Sequence, residues 1–135
     1  SSQNTIDFFT EVVGMEKYHK PLSGFPAEIK ESLPKAMSTI SSDLEGCVLN
    51  GGKCQVVFWE VKKAFEVDVH SHRHAEWGIV VCGSCELTIG NETRTYFAGQ
   101  EFYIPPEAPH KSKMSDNYRA VDFFNAPGWI KTKAE

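Results

Sequence analysis

The sequence predicts an all-β fold, a closed or sandwich-like β-barrel that carries a short helical arm at its N-terminus. From Leu44 onward, short segments rich in β-branched and aromatic residues alternate with turn signals at even spacing, which is typical of barrels and sandwiches. Asn50-Gly51-Gly52 is one such turn, and Gly90-Asn91 fits a two-residue hairpin turn that needs positive φ.

Each element follows from its local pattern, beginning with the arm. Ile6, Phe9 and Val12 lie close to helical spacing, so we expect a helix within residues 5–16. Pro26 predicts a second short helix, because proline is favoured in the first helical turn. We expect residues 1–43 to form this arm, packed on a barrel of residues 44–135 within one domain. The barrel strands are expected at 54–61, 65–70, 76–82, 86–89, 92–96, 101–104, 110–114 and 118–124.

Size, charge and hydropathy narrow the function classes. A chain of 135 residues, 41% of them hydrophobic, is the size of one ordinary domain with a proper core. The net charge is −4 and no basic run is longer than Lys62-Lys63, which argues against a nucleic acid partner. No stretch is apolar for long enough to span a membrane, and the first residues lack the features of a secretion signal. We therefore expect a cytoplasmic protein with no membrane partner.

Four cysteines allow two interpretations. Cys82-Gly83-Ser84-Cys85 has the CxxC spacing of zinc ribbons and redox pairs, but Cys47 and Cys54 do not supply a second pair at that spacing. We therefore favour reduced thiols on either side of a turn, and a redox pair remains the alternative.

The richest cluster of candidate ligands is His70-Ser71-His72-Arg73-His74-Ala75-Glu76. In an extended strand, side chains two residues apart share one face, so the three histidines and the carboxylate would line a single wall. Nitrogen and oxygen donors of this kind suit divalent transition metals. Taken alone, the two histidines of an HxH spacing are equally consistent with a solvated strand end.

A second motif lies further along the chain. Gly99, Pro105 and His110 follow the first cluster at a spacing that, together with it, resembles the cupin superfamily, whose motifs read G-x5-H-x-H-x3,4-E-x6-G and G-x5-P-x-G-x2-H-x3-N. The first motif is matched by His70, His72, Glu76 and Gly83. The chain departs from these patterns at three positions, none of them a ligand position: Ala64, Glu107 and Met114.

The resemblance implies a cupin barrel, the double-stranded β-helix or jelly roll, in a small single-domain protein. It also implies that His70, His72, Glu76 and His110 bind a divalent transition metal such as iron, manganese, nickel or zinc. Small cupins often form homodimers, so a homodimer is expected. Because neutral imidazoles are the ligands, metal binding should weaken below about pH 6.

Other side chains near the metal are harder to assign from sequence. His74 shares the period of the ligand wall but not the spacing of the family, so it is either a proton-handling neighbour of the ligands or an ordinary pocket or surface residue. Tyr103 is the first candidate for a catalytic proton donor, and Glu60 is the second. Further candidates for the pocket wall are Phe58, Trp77, Phe102, Tyr118, Asp122 and Phe124.

Two functions remain open after these observations, and a third is disfavoured. The first is a metal-dependent enzyme of the dioxygenase, isomerase or lyase type, acting on a small polar organic molecule. The second is a cupin that binds or senses a small ligand or metal without turnover. A purely structural barrel is disfavoured, because four ligand-type residues at this spacing have no packing purpose.

Overall fold

The structure, a computed structural model, describes residues 18–37 and 40–134. Within them, one short helix, α1 (Ala27–Ser32), precedes nine β-strands. The strands are β1 (Leu44–Asn50), β2 (Gln55–Val61), β3 (Phe65–His70), β4 (Glu76–Cys82), β5 (Ser84–Ile89), β6 (Glu92–Phe97), β7 (Glu101–Ile104), β8 (His110–Met114) and β9 (Arg119–Phe124).

The strands form two antiparallel sheets. The first has five strands in the order β1-β2-β9-β4-β7, and the second has four in the order β3-β8-β5-β6. Both orders mix strands that are distant in sequence, as in a jelly roll. The predicted all-β cupin barrel is therefore confirmed.

Local sequence signals account for the strand bounds. β3, β4, β7 and β8 begin and end at the predicted residues. The hairpin between β5 and β6 pairs Ile89 with Glu92, and Gly90 has φ +61°. Glycine at the first central position of a two-residue turn supplies this conformation without steric cost.

The arm contacts the five-stranded sheet through residues just before α1. The ring of Phe25 packs edge-on against Phe58 with centroids 5.5 Å apart, and its amide donates to Glu60 Oε1 at 2.6 Å. α1 follows Pro26, as predicted. The helix predicted within residues 5–16 lies outside the described residues. In the described part of the chain, no helix has the length and apolar character of a membrane span.

The core lies between the two sheets. Its largest cluster of buried side chains consists of Val61, Val80, Cys85, Leu87, Phe102, Ile104, Met114, Tyr118 and Ala120. All four cysteines are free thiols, which agrees with the favoured interpretation of reduced cysteines.

Candidate metal centre

Three histidines from two parts of the chain meet at one end of the barrel. His70 ends β3, His110 begins β8, and the two residues are paired across the four-stranded sheet. His72 lies in the loop that follows β3 and is buried. One ring nitrogen from each of the three lies within 4.8 Å of the others.

Backbone carbonyls fix the orientation of all three rings. His70 Nδ1 lies 2.9 Å from the Asp68 carbonyl, His110 Nδ1 lies 2.9 Å from the Ala108 carbonyl, and His72 Nδ1 lies 2.8 Å from the His74 carbonyl. A carbonyl only accepts, so in each neutral ring Nδ1 carries the proton and Nε2 keeps its lone pair. Such hydrogen bonds orient the histidine ligands of metal sites.

Glu76 adds a carboxylate to the cluster. Its Oε1 lies 3.2 Å from His72 Nε2 and 3.9 Å from His110 Nε2. The three predicted histidine ligands therefore come together, and Glu76 lies beside two of them. They do not lie along one extended strand, because β3 ends at His70 and β4 begins at Glu76. The intervening loop turns His72 towards His110, and the convergence depends on this turn.

Two ligand nitrogens of the cluster are buried. His110 Nε2 has no hydrogen-bond partner, and His72 Nε2 lies 3.2 Å from Glu76 Oε1. Buried lone pairs that face one another are unfavourable unless a proton or a cation lies between them. A divalent transition metal satisfies this set of donors, so the residues fit the metal that the family implies.

The surroundings of His110 favour its neutral form. Burial lowers the pKa of His110, and the nearby rings of His70 and His72 lower it further, although the hydrogen bond to Ala108 acts in the opposite direction. His110 is therefore neutral at pH 7, which is the form that binds metals.

A second carboxyl group lies beside Glu76. Burial raises the pKa of Glu76 to about 7, and burial together with the charge of Glu76 holds the pKa of Asp122 well above its usual range. Asp122 Oδ1 is buried and has no hydrogen-bond partner among the described residues. A cation at the histidines would favour the ionised form of Glu76.

Gly78 makes room for this acidic pair. A Cβ at Gly78 would overlap the ring of Phe102 and would lie 2.5 Å from Asp122 Oδ1. Only glycine lets the Asp122 carboxyl group approach β4 this closely.

His74 does not join the cluster of ligand nitrogens. Its ring stacks on that of His72, with centroids 4.2 Å apart and planes within 3°. The ring of Trp129 packs against both histidines, with its centroid 4.6 Å from that of His74 and 5.4 Å from that of His72. The structure therefore places His74 as a packing partner of a ligand, which agrees with the family spacing.

The cluster opens into a cavity of about 170 Å³ between the sheets. Its walls are mostly apolar, and beyond the predicted ligands the polar lining groups are Trp59, Cys85, Ser112, Tyr118, Asp122 and Trp129. Of the candidates for the wall, Phe102, Tyr118, Asp122 and Phe124 line this cavity.

The structure does not bring Tyr103 or Glu60 to the metal cluster. Tyr103 is 55% exposed and pairs with Trp77 on the outer face of the sheet. Glu60 forms an ion pair with Lys30 at 3.1 Å and accepts from the Phe25 amide. Neither lines the cavity, so their positions do not support the predicted catalytic roles. Phe58 and Trp77 are likewise absent from the cavity wall.

Sequence reasoning missed several cavity residues. Ser112 lies between His110 and Met114 on β8, so strand alternation could have placed it inside. Trp129 and Ile130 follow the last strand, and no periodic pattern points to them.

Glu107 stands where the family motif has glycine, and its backbone adopts a conformation that favours glycine. Glu107 has φ +66°, in the left-handed region that favours the glycine of the family pattern. Its amide donates to the His72 carbonyl at 2.7 Å, so this turn holds the loop that carries a ligand.

Comparison with known proteins agrees with this geometry. A family model for the cupin domain matches residues 57–121. H2HPP isomerase from Bacillus subtilis is 33% identical over 71 residues, which cover 52% of this chain and 30% of that protein. The match thus spans less than a third of that relative.

Solved structures show the same fold at lower identity. An RmlC-like cupin from Shewanella frigidimarina is 24% identical with a TM-score of 0.62, over 72% of this chain and 86% of that one. A variant of oxalate decarboxylase from Bacillus subtilis is 16% identical with a TM-score of 0.64, over 84% of this chain and 32% of that one. The cupin-domain match and the jelly-roll fold together support a small protein with a cupin-superfamily domain.

Proposed function

We propose that the protein is a metal-dependent enzyme that acts on a small polar organic molecule inside the barrel. The observation that carries the proposal is the convergence of three oriented imidazoles and Glu76 at the end of a cavity. Four protein ligands leave two positions for water or substrate on a six-coordinate ion, and open positions distinguish catalytic sites from closed structural ones.

His70, His72, His110 and Glu76 would hold the ion, which is iron, manganese, nickel or zinc. When bound, such an ion polarises a carbonyl, lowers the pKa of a bound water or binds dioxygen. Backbone carbonyls accept from Nδ1 of each ring and so orient the ligand nitrogen Nε2 before any ion binds.

The other residues of the cavity wall would exclude water and supply a group for proton transfer. Apolar walls limit the access of water, and the carboxyl group of Asp122, whose pKa burial and the charge of Glu76 hold well above its usual range, lies beside the ligand cluster. A group that can give or take a proton at this place is what isomerase and lyase chemistry needs. With Tyr103 and Glu60 outside, Asp122 replaces them as the candidate for this role.

The relatives favour the isomerase and lyase alternatives. One sequence relative is named an isomerase, and one structural relative is a decarboxylase. A dioxygenase is the third alternative, and it would require iron and dioxygen-dependent turnover.

A cupin that binds a small ligand without turnover is the second candidate. It is favoured by the outward position of both predicted proton donors, Tyr103 and Glu60. A ligand that binds to the metal-loaded protein and leaves unchanged, under aerobic and anaerobic conditions alike, would support it.

Paired substitutions test the proposed metal centre. His110→Ala removes a ligand, and we expect its affinity for Zn²⁺ to fall by more than about 100-fold, beyond the usual effect of losing an outer contact. His74→Ala removes only a packing partner and should keep the metal within about tenfold. Competition titration against a chromophoric chelator, with elemental analysis, measures both. Equal loss in the two variants, or none in either, contradicts the proposed ligand set.

A further inference from the structure

We propose that the ligand of this cavity has one oxygen-bearing head that binds the metal and a compact apolar body without a second anionic group. This inference rests on the metal-dependent function proposed above and narrows its substrate class. It follows from three features of the cavity: the order of the residues along its wall, the charges of those residues, and its volume.

The wall becomes apolar with depth. On the four-stranded sheet, the first row pairs His70 with His110. The next row pairs Val67 with Ser112 and Leu87, and the third brings Met114 beside Phe65 and Cys85. A ligand whose head contacts the metal must therefore place its body against aliphatic side chains, where burial of apolar surface is favourable.

The opposite sheet places one carboxyl group beyond the row of the metal ligands. Glu76 lies in the row of the metal ligands and pairs with Ile104 and Phe124. In the next row, Asp122 lies opposite Gly78, with Phe102 on the far side. Asp122 is thus the single carboxyl group beyond the ligand row among the described lining residues.

The charges of the cavity disfavour a second anion. None of the described residues that line the cavity is Arg or Lys. The two carboxyl groups of its wall belong to Glu76 and Asp122. A carboxylate or phosphate on the ligand body would lose its water without gaining a cation, which is costly in a buried site. Dicarboxylates and sugar phosphates are therefore poor occupants.

The cavity also limits the size of the body. Its volume is about 170 Å³, and an apolar cavity of about 150 Å³ holds a benzene molecule. A body of about six carbon atoms fills this space.

Two oxo acids of similar size test the charge preference. 4-Methyl-2-oxopentanoate and 2-oxoglutarate have the same metal-binding head, but the first has a branched aliphatic body and the second has a carboxylate. We expect Zn²⁺-loaded protein to bind the branched acid at least about tenfold more tightly, measured by calorimetry. Equal affinity, a preference for 2-oxoglutarate, or no binding of either acid would overturn the inference.

Ser112 offers a change that should reverse the preference. It lies about 7 Å along β8 from His110, level with Leu87 on the neighbouring strand. Ser112→Lys should tighten 2-oxoglutarate by at least about tenfold relative to Ser112→Met, which has similar length without charge. A lysine that gives no gain, in a variant that still folds and binds Zn²⁺, contradicts the inference.

Zinc titration of the unsubstituted protein separates the two proposals. If the protein binds Zn²⁺ but does not prefer the branched acid, the proposed substrate class is wrong and the proposed metal centre is retained. A protein that takes up no Zn²⁺ overturns both.

Discussion

At the scale of single residues, the site depends on which nitrogen of each histidine faces the cavity. The three backbone carbonyls that accept from Nδ1 belong to Asp68, His74 and Ala108. Because every acceptor is main chain, the ring orientation does not rely on a second side chain that could be replaced. The carbonyl of Ala108 belongs to the turn after Glu107, and the Glu107 amide binds the loop of His72. The second motif therefore orients its own ligand and holds the loop that carries a ligand of the first.

Cys85 illustrates how burial controls reactivity one layer below the ligands. Burial raises the pKa of its thiol to about 12, although a hydrogen bond from Tyr118 acts in the opposite direction. The thiolate is the reactive form, so Cys85 should resist iodoacetamide at pH 8 while Cys54, which is partly exposed, reacts. Peptide mass spectrometry reads both sites in one sample.

The same shift predicts a dependence of stability on pH. The free thiol ionises near pH 9 and the folded one near pH 12, so only the unfolded state loses its proton between these values. The free energy of unfolding should therefore fall from about pH 9 to about pH 12, and less so in Cys85→Ala than in the unsubstituted protein. Rapid alkylation of Cys85 in the folded protein would contradict this account.

At the scale of elements, strands were more predictable than the loops between them. Alternation and β-branched content are local signals, and they gave the bounds of β3, β4, β7 and β8. The turn after His70 depends on contacts with the distant residue Glu107, which no local pattern encodes. The ligand positions were predicted by resemblance, whereas their arrangement around a turn was not.

The orientation of side chains on a strand was predictable only where one face is polar. In β7, Phe102 and Ile104 alternate with Glu101 and Tyr103, a pattern that already points Tyr103 outward. In β2, apolar residues occupy both faces, because Phe25 covers Phe58 on the outside. The direction of Glu60 was therefore undetermined until the register with β9 was known.

One buried side chain helps to hold the segment after β9. Gln55 Nε2 donates to the Ile130 carbonyl at 3.0 Å and to Asn50 Oδ1 at 2.9 Å, and Gln55 Oε1 accepts from the Ile130 amide at 2.8 Å. Gln55→Met keeps the size but loses these bonds, so we expect a loss of about 1–3 kcal/mol in the free energy of unfolding. Hydrogen exchange at the Ile130 amide should accelerate.

Lys53→Met provides the matched control, because Lys53 is exposed in the preceding turn. It should change stability by less than about 0.5 kcal/mol and leave the exchange of Ile130 unaltered. If Gln55→Met leaves exchange at Ile130 unchanged, the segment is held by other contacts, such as the bond from Lys133 to the Lys35 carbonyl.

At the scale of the whole molecule, the proposed metal centre connects the two sheets. His70 and His110 belong to the four-stranded sheet, and Glu76 belongs to the five-stranded sheet. The cavity beside these residues is lined by side chains of both sheets. An ion with ligands on both sheets would add a cross-sheet contact, and an ion that binds only the folded state stabilises it.

Metal binding should therefore raise the melting temperature of the whole domain. At a free Zn²⁺ concentration of about 100 times Kd, linkage gives about 2.7 kcal/mol, which corresponds to roughly 10 °C for a domain of this size. The rise should vanish in His110→Ala. It should persist in Lys111→Ala, because Lys111 is exposed on the other face of β8. Differential scanning fluorimetry with and without chelator measures each shift. A rise of equal size in His110→Ala would place the stabilising ion elsewhere, because this variant lacks one of the proposed ligands.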